Sequence, residues 1–217
     1  MIPDDGSVKA IGFSAFAHQG IESLSIPSSV KAIYDFAFFG CTKLTDLRFP
    51  SGVTTVGKQI LDESAYALAE ENWENGALYV GEYLVQAKKD LASLSVRAGT
   101  FLIADYVFAE NMSLTEVTFN DELRHIGRKA FYWCSHFKTL ILPQALETVG
   151  DNAFEYCRSV NEVLIPDSVK TIGTGAFSSL ANEGVVIRCE ASAKPSGWDS
   201  WWIASKYVPN IEWGYTA

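Results

Sequence analysis

The groups in this chain able to do chemistry are few. Cys134-Ser135-His136, with Cys157 one short segment on, brings together two thiols and an imidazole, the soft donor set that suits a zinc ion. His18 and His125 are the other histidines. Glu70, Glu71 and Glu74 cluster carboxylates in one stretch, the residue type of general acid–base work. No serine or cysteine lies in a nucleophile-elbow context, and no glycine-rich phosphate loop is present. Of six tryptophans, Trp198, Trp201, Trp202 and Trp213 fall in the last 20 residues, where exposed rings could stack on sugars. Which of these chemistries is open depends on where the chain places the groups, and the apolar spacing decides that.

Phenylalanine returns at a fixed interval. Phe108, Phe131, Phe154 and Phe177 are 23 residues apart; Phe16 and Phe38 are 22 apart, and Leu61 follows Phe38 by 23. From Leu61 to Phe108 is 47 residues, two periods plus one. A period of this size predicts a solenoid whose coils cannot bury a core singly but stack into a continuous column. Five residues before each rung stands an aliphatic, from Ile11 and Ile33 to Ile172, and four before is usually glycine, as at Gly127, Gly150 and Gly173. That glycine suits a bend with φ > 0 or a close backbone approach. Nine and eleven residues after the rung come alternating apolar pairs such as Val163 and Ile165, which read as short strands with one buried face, closed by Pro50, Pro143 and Pro166 in three repeats.

The ladder reassigns the chemistry-bearing residues. Cys41, Cys134 and Cys157 share one repeat position, three after the rung, which Ser64 and Asn111 hold elsewhere. Neighbouring coils lie about 5 Å apart, which permits a Cys134–Cys157 bridge. A column of buried free thiols is the expectation, because small thiols pack well. The same inward position argues against a metal, so no cofactor is expected. The three glutamates belong to a helical stretch ending at the turn signal Asn75-Gly76 and read as a solvated face. The terminal tryptophans read as a cover for the open end of the column.

The unit Ile165-Pro166-Asp167-Ser168-Val169 through Gly173 to Ala176-Phe177, with Phe131-Tyr132-Trp133-Cys134 and Phe154-Glu155-Tyr156-Cys157, resembles the BspA-type leucine-rich repeat. The resemblance spans about residues 2–61 and 92–190. Leu61 in place of Phe, Tyr34 and Ala104 in place of Gly, and Asn120 in place of Pro depart from it. The expected fold is an α/β solenoid: a right-handed, strand-dominated leucine-rich repeat superhelix of about eight coils, with short helical turns opposite the strand row. One domain, 1–217, would comprise N-terminal repeats (2–61), a helix and hairpin insert (62–91), C-terminal repeats (92–190) and an aromatic cap (191–217). Within the insert the pattern predicts a helix near 63–73 and a two-stranded ribbon near 77–87, turning at Gly81-Glu82.

A formal charge of −9 argues against nucleic acid and anionic membrane surfaces, and no apolar run approaches the ~18 residues a membrane span needs. If the apolar strand residues point inward, their neighbours point out. The candidate protein-binding face is then Asp46, Arg48, Glu116, Thr118, Thr139, Ile141, Glu162 and Leu164, extended by serines such as Ser93 and Ser95. The family resemblance implies a non-catalytic module of a bacterial surface or secreted protein that binds host or neighbouring-cell proteins. Carbohydrate recognition through Trp and Tyr near the insert or the tail is the alternative.

Overall fold

The computed structural model describes residues 2–180, 184–205 and 209–216; three positions of the expected C-terminal repeats (181–183) and four of the expected cap (206–208 and 217) lie outside them. The chain winds a strand-dominated solenoid of about nine turns. Each regular coil contributes one strand to each of two parallel rows. The front row holds Ser23–Ser25, Asp46–Arg48, Ser93–Ser95, Glu116–Thr118, Thr139–Ile141, Glu162–Ile165, Val186–Cys189 and Asn210–Trp213. The side row holds Ala10–Ile11, Ala32–Ile33, Thr55–Val56, Leu102–Ile103, His125–Ile126, Thr148–Val149 and Thr171–Ile172. Register follows the sequence period, as in Ile126↔Val149 and Leu140↔Val163.

The third side of the coil is a hydrogen-bonded ladder of turns, where short helical turns were expected. The residues two before and two after every rung have positive φ, from Ser14 and His18 to Gly175 and Ser179. Most are not glycine; Tyr106, Lys129 and Trp133 are among them. Alternation of left- and right-handed backbone aims every second N–H at the next coil: Lys129, Phe131 and Trp133 donate to the carbonyls of Asp151, Ala153 and Glu155 at 2.9, 2.8 and 2.8 Å. A left-handed residue with a Cβ costs roughly 1–2 kcal/mol. These inter-coil bonds hold it there, since an N–H turned away from its partner would be left unpaired inside the stack.

Glycine four before the rung serves close approach, because Gly57, Gly127, Gly150 and Gly173 are absent from the positive-φ set. A Cβ on Gly150 would lie 2.5 Å from the Arg128 nitrogen and 2.7 Å from the Gly127 carbonyl carbon of the preceding coil. Coils pack too tightly at this corner for any side chain.

Inside, the rungs stack. Phe108, Phe131, Phe154 and Phe177 follow one another at centroid separations of 4.8, 5.0 and 5.5 Å with planes within 16°. Phe16 and Phe38 form a second stack at 5.7 Å, and buried Leu61 fills the rung position beyond it. The thiol position has a bonding role as well as a packing one. Cys41, Cys134 and Cys157 are buried, and their Sγ atoms donate to the carbonyls of Phe16, Phe108 and Phe131 in the preceding coil at 3.0, 3.0 and 3.2 Å. Burial pushes Cys134 and Cys189 up to about 12.

The insert begins with a helix shorter than expected, Ala65–Leu68, capped by the Ser64 hydroxyl, followed by a single 3-10 turn at Glu70–Asn72. The ribbon has a third strand: Trp73–Glu74, Ala77–Val80 and Tyr83–Ala87 run antiparallel. Tyr83–Leu84 also pairs in parallel with Leu102–Ile103, so the ribbon extends the later side row into a sheet separate from the strands Ala10–Ile11, Ala32–Ile33 and Thr55–Val56. Its anchor is the Tyr83 hydroxyl, which donates to Pro50 O and accepts from Val53 N.

The tail closes the column. Trp201 and Trp202 carbonyls accept the N–H groups of Gly175 and Phe177, continuing the turn ladder by one step. Trp198 and Trp202 are buried, and the Trp198 indole donates to Val169 O. Trp201 stays 67% exposed.

Candidate functional site

The front row carries the outward residues as the alternation requires. Asp46–Arg48, Glu116–Thr118 and Thr139–Ile141 bury their middle residue and expose the two flanking ones, while Glu162 and Leu164 are half-buried. The row is not one sheet. It divides into a pair (Ser23–Ser25 with Asp46–Arg48), a second pair (Ser93–Ser95 with Glu116–Thr118) and a four-stranded sheet from Thr139 to Trp213. Asp46 and Arg48 bond to each other within their own strand at 3.3 Å and lie beyond the insert from the other six. Those six adjoin one another: Glu116, Thr118, Thr139 and Ile141 line a hollow of about 400 Å³ with Phe119 and Pro143. Ile141 and Leu164, register partners, line a second hollow of about 110 Å³ with Arg188 and Tyr215. Ile141 belongs to both and is 59% exposed.

Sequence reasoning stopped one strand short. Arg188 follows Leu164 in register, but at an offset of 24 residues in place of 23, which hides it from a strict period. It pairs with Glu162 on one side and donates from Nε to Glu212 on the other at 2.8 Å, with its guanidinium 5.3 Å from the Tyr215 ring centroid. The hollow beside Ile141 is thus walled by a fixed, charge-balanced network.

A larger groove lies on the side row and was also missed. It encloses about 630 Å³ and brings Phe13 and Tyr34 from the first coils together with Thr148 and Thr171 from the last. Three residues before the five rungs from Phe38 to Phe154 stand Asp35, Lys58, Asp105, Arg128 and Asp151, alternating in sign. Each aspartate turns Oδ1 to the backbone N–H of the next coil: Asp35 to Lys58 at 3.1 Å, Asp105 to Arg128 at 2.7 Å, Asp151 to Thr174 at 2.9 Å. Arg128 then bridges Asp105 Oδ2 and Asp35 Oδ2, both at 3.2 Å. From the coil of Phe38 to that of Phe131 is three coil steps at this corner, because Asp105 N donates directly to Val56 O at 2.9 Å. The side row divides here into two sheets, and the groove runs along the row across that division.

Electrostatics follow this geometry. Burial pushes the Asp105 carboxyl up to about 6, outweighing the bonds and charge of Arg128. Burial opposes the charge of Arg128 too, yet Asp105 and Asp35 more than offset it and hold it above its ordinary value. His125 is lowered by burial and bonds Thr148 Oγ1 through Nδ1 at 2.9 Å. The alternating column could have been found by reading charge at a fixed repeat position; the groove could not, because it is lined by residues of coils far apart in the chain.

Of the chemistry-bearing residues, His136 bonds Met112 O, away from the inward-facing Cys134 and Cys157, and Glu70 pairs with Lys88 on the surface. Among the described residues no group of three or more His, Cys, Asp or Glu is arranged to hold a metal, and no helix is long and apolar enough to cross a membrane.

A family model described as the BspA type leucine rich repeat region matches residues 9–123 and 102–191, with six copies. A search of curated proteins finds no match. Among solved structures, the pneumococcal vaccine antigen PcpA is similar with a TM-score of 0.59 and 20% identity, over 97% of this chain and 61% of that one. A leucine rich cell surface protein from Faecalibacterium prausnitzii is similar with a TM-score of 0.55 and 18% identity, over 96% of this chain and 58% of that one. This chain thus spans less than two thirds of either neighbour.

Proposed function

The chain belongs to the BspA-type leucine-rich repeat family, and from that premise we propose that it is a non-catalytic protein-interaction module, acting in a bacterial surface or secreted protein and docking its partner on the C-terminal part of the front row. The observation that carries this reading is Ile141. It is an exposed aliphatic side chain on a rigid strand, set between two hollows that have Phe119, Pro143, Leu164 and Tyr215 in their walls. An apolar anchor flanked by shallow pockets and rimmed by charge is the usual anatomy of a binding hot spot. Glu116, Thr118, Thr139 and Glu162 form the rim, and Asp46 and Arg48 extend the row across the insert. The surface or secreted setting rests on the family and on the names of its structural neighbours, a vaccine antigen and a cell surface protein. The partner is a protein of a host or neighbouring cell.

Carbohydrate recognition is the second reading. Its support is the exposed Trp201 in the tail, with a Trp133–Tyr156 pair on the turn ladder, centroids 5.3 Å apart. A pull-down from host extracellular matrix run beside a glycan array separates the two. Retention of a matrix protein by the wild type and its loss in Ile141→Asp supports the front row; glycan binding that survives this substitution and fails in Trp201→Ala or Trp133→Ala replaces it.

A further inference from the structure

The side-row groove has no part in front-row binding, and its shape and charge ask for an occupant. Its floor is backbone and small side chains, since Gly127, Gly150 and Gly173 line it and Val56, Ile126 and Val149 lie beneath. One wall offers two exposed rings, Tyr34 at 48% and Phe13 at 69%. Thr148, Thr171 and Asp151 come from the coils at the far end, with Asp35, Asp105 and Arg128 between. At about 630 Å³ it is large enough for one extended side chain with its flanking backbone.

We propose that this groove receives an arginine or lysine side chain from an extended segment of a protein partner, its cation seated against Asp151. Charge complementarity within the column supplies the argument. Along it every aspartate but the last is followed by a cation: Lys58 after Asp35, Arg128 after Asp105. After Asp151 the next coil has Thr174, which brings no charge. Arg128 is already committed to Asp105 and Asp35, and among the described residues no ion pair reaches Asp151. Three carboxylates against one guanidinium leave the groove net negative, and the concave wall concentrates that field. A cation seated against Asp151, beside Thr171, would extend the alternation by one member, and the backbone flanking it would run along the groove toward the Tyr34 and Phe13 rings. The unrelieved cost of burying Asp105 acts in the same direction, since added positive charge in the groove favours its ionised form. A protein cation is favoured over an amino sugar because Phe13 and Tyr34 stand on the rim, while the floor beneath is glycine and small aliphatic residues that offer no ring for a sugar to lie on.

The test uses the whole chain and a labelled peptide, acetyl-Gly-Arg-Gly-Arg-Gly-amide, with its citrulline counterpart, which keeps the shape and removes the charge. Titration by fluorescence anisotropy should show saturable binding of the arginine peptide that weakens with salt, and roughly tenfold or more weaker binding of the citrulline peptide. Asp151→Asn keeps the Oδ1 acceptor for Thr174 N, so the coil stays capped; it should weaken binding at least about fivefold with an unchanged melting temperature. Glu70→Gln, in the 3-10 turn before the ribbon, removes the same charge and should leave affinity within about twofold. Equal binding of the two peptides, equal binding by Asp151→Asn, or an equal loss in Glu70→Gln would overturn the proposal. So would the absence of arginine-peptide binding with Asp151-dependent binding of a glucosamine trimer, which would make the groove a sugar site.

Discussion

Replacing one glycine in two different coils separates stacking from backbone conformation. Gly12 and Gly150 hold the same repeat position, four before the rung, and neither has positive φ. At Gly150 a Cβ would sit 2.5 Å from Arg128 N, 2.7 Å from Gly127 C and 2.9 Å from Arg128 Cα, all backbone of the preceding coil. Relief requires the coils to part by the better part of an ångström at a corner fixed by the Gly150 N–H bond to Ile126 O. Overpacking of this kind costs about 1–3 kcal/mol, from which the reduced freedom of an unfolded alanine returns about 0.4–1. Gly12 belongs to the first coil, and its Cβ would meet nothing within 4 Å. Gly12→Ala should therefore stabilise by about 0.4–1 kcal/mol. In thermal melts at about 2–4 °C per kcal/mol, Gly150→Ala should fall by several degrees and Gly12→Ala should rise by one to a few, as order-of-magnitude values. Equal destabilisation of both would show that the position needs glycine for its own conformation; a neutral Gly150→Ala would show that the coils are not so close.

Three further outcomes follow. Phe154→Ala removes a fully buried ring stacked on Phe131 and Phe177 and should cost about 3–5 kcal/mol in urea unfolding; a loss below about 1 would show that the column does not carry the core. All four thiols should react under denaturing, non-reducing conditions and Cys134, Cys157 and Cys189 should resist alkylation in the native protein, because burial raises each; a denatured count of two would reveal a bridge. Asp105, raised to about 6 by burial, binds its proton more tightly folded than unfolded, so its contribution to stability is greatest below about pH 4 and is lost as pH rises through 6. The wild type should lose on the order of 1–3 kcal/mol relative to Asp105→Asn between pH 4.5 and 7; parallel pH profiles would refute the assignment.

The sequence made the column, the strand alternation, the ribbon and the covering of the last coil legible, because each rests on a spacing that only one packing satisfies. Phe131 and Phe154 had to stack once the period was 23. The turn ladder was hidden for a physical reason: Tyr106, Lys129 and Trp133 are poor left-handed residues by themselves, and only hydrogen bonds from a neighbouring coil hold them there. The glycine four before the rung was open to two explanations, and the distance to the preceding coil decides between them. Of the candidate face, Thr139, Ile141, Glu162 and Leu164 share one sheet, whereas Asp46 and Arg48 are separated from it by the insert. Arg188 escaped through a one-residue change of offset. The side-row groove is lined by residues of coils far apart in the chain, which local pattern does not encode.

Once a matrix pull-down supplies a protein partner, its affinity for Ile141→Asp tests the front-row interface most directly. Ile141 is 59% exposed and its strand buries only Leu140, so the melting temperature should stay within the small range of surface substitutions. A charge at the anchor of a hot spot should weaken binding by more than about 30-fold, corresponding to about 2 kcal/mol or more. Tyr79 and Tyr83 of the ribbon are buried and cannot offer a sugar platform. Normal affinity in Ile141→Asp, with binding lost instead on changing the exposed Trp201 of the tail, would contradict the front-row interface.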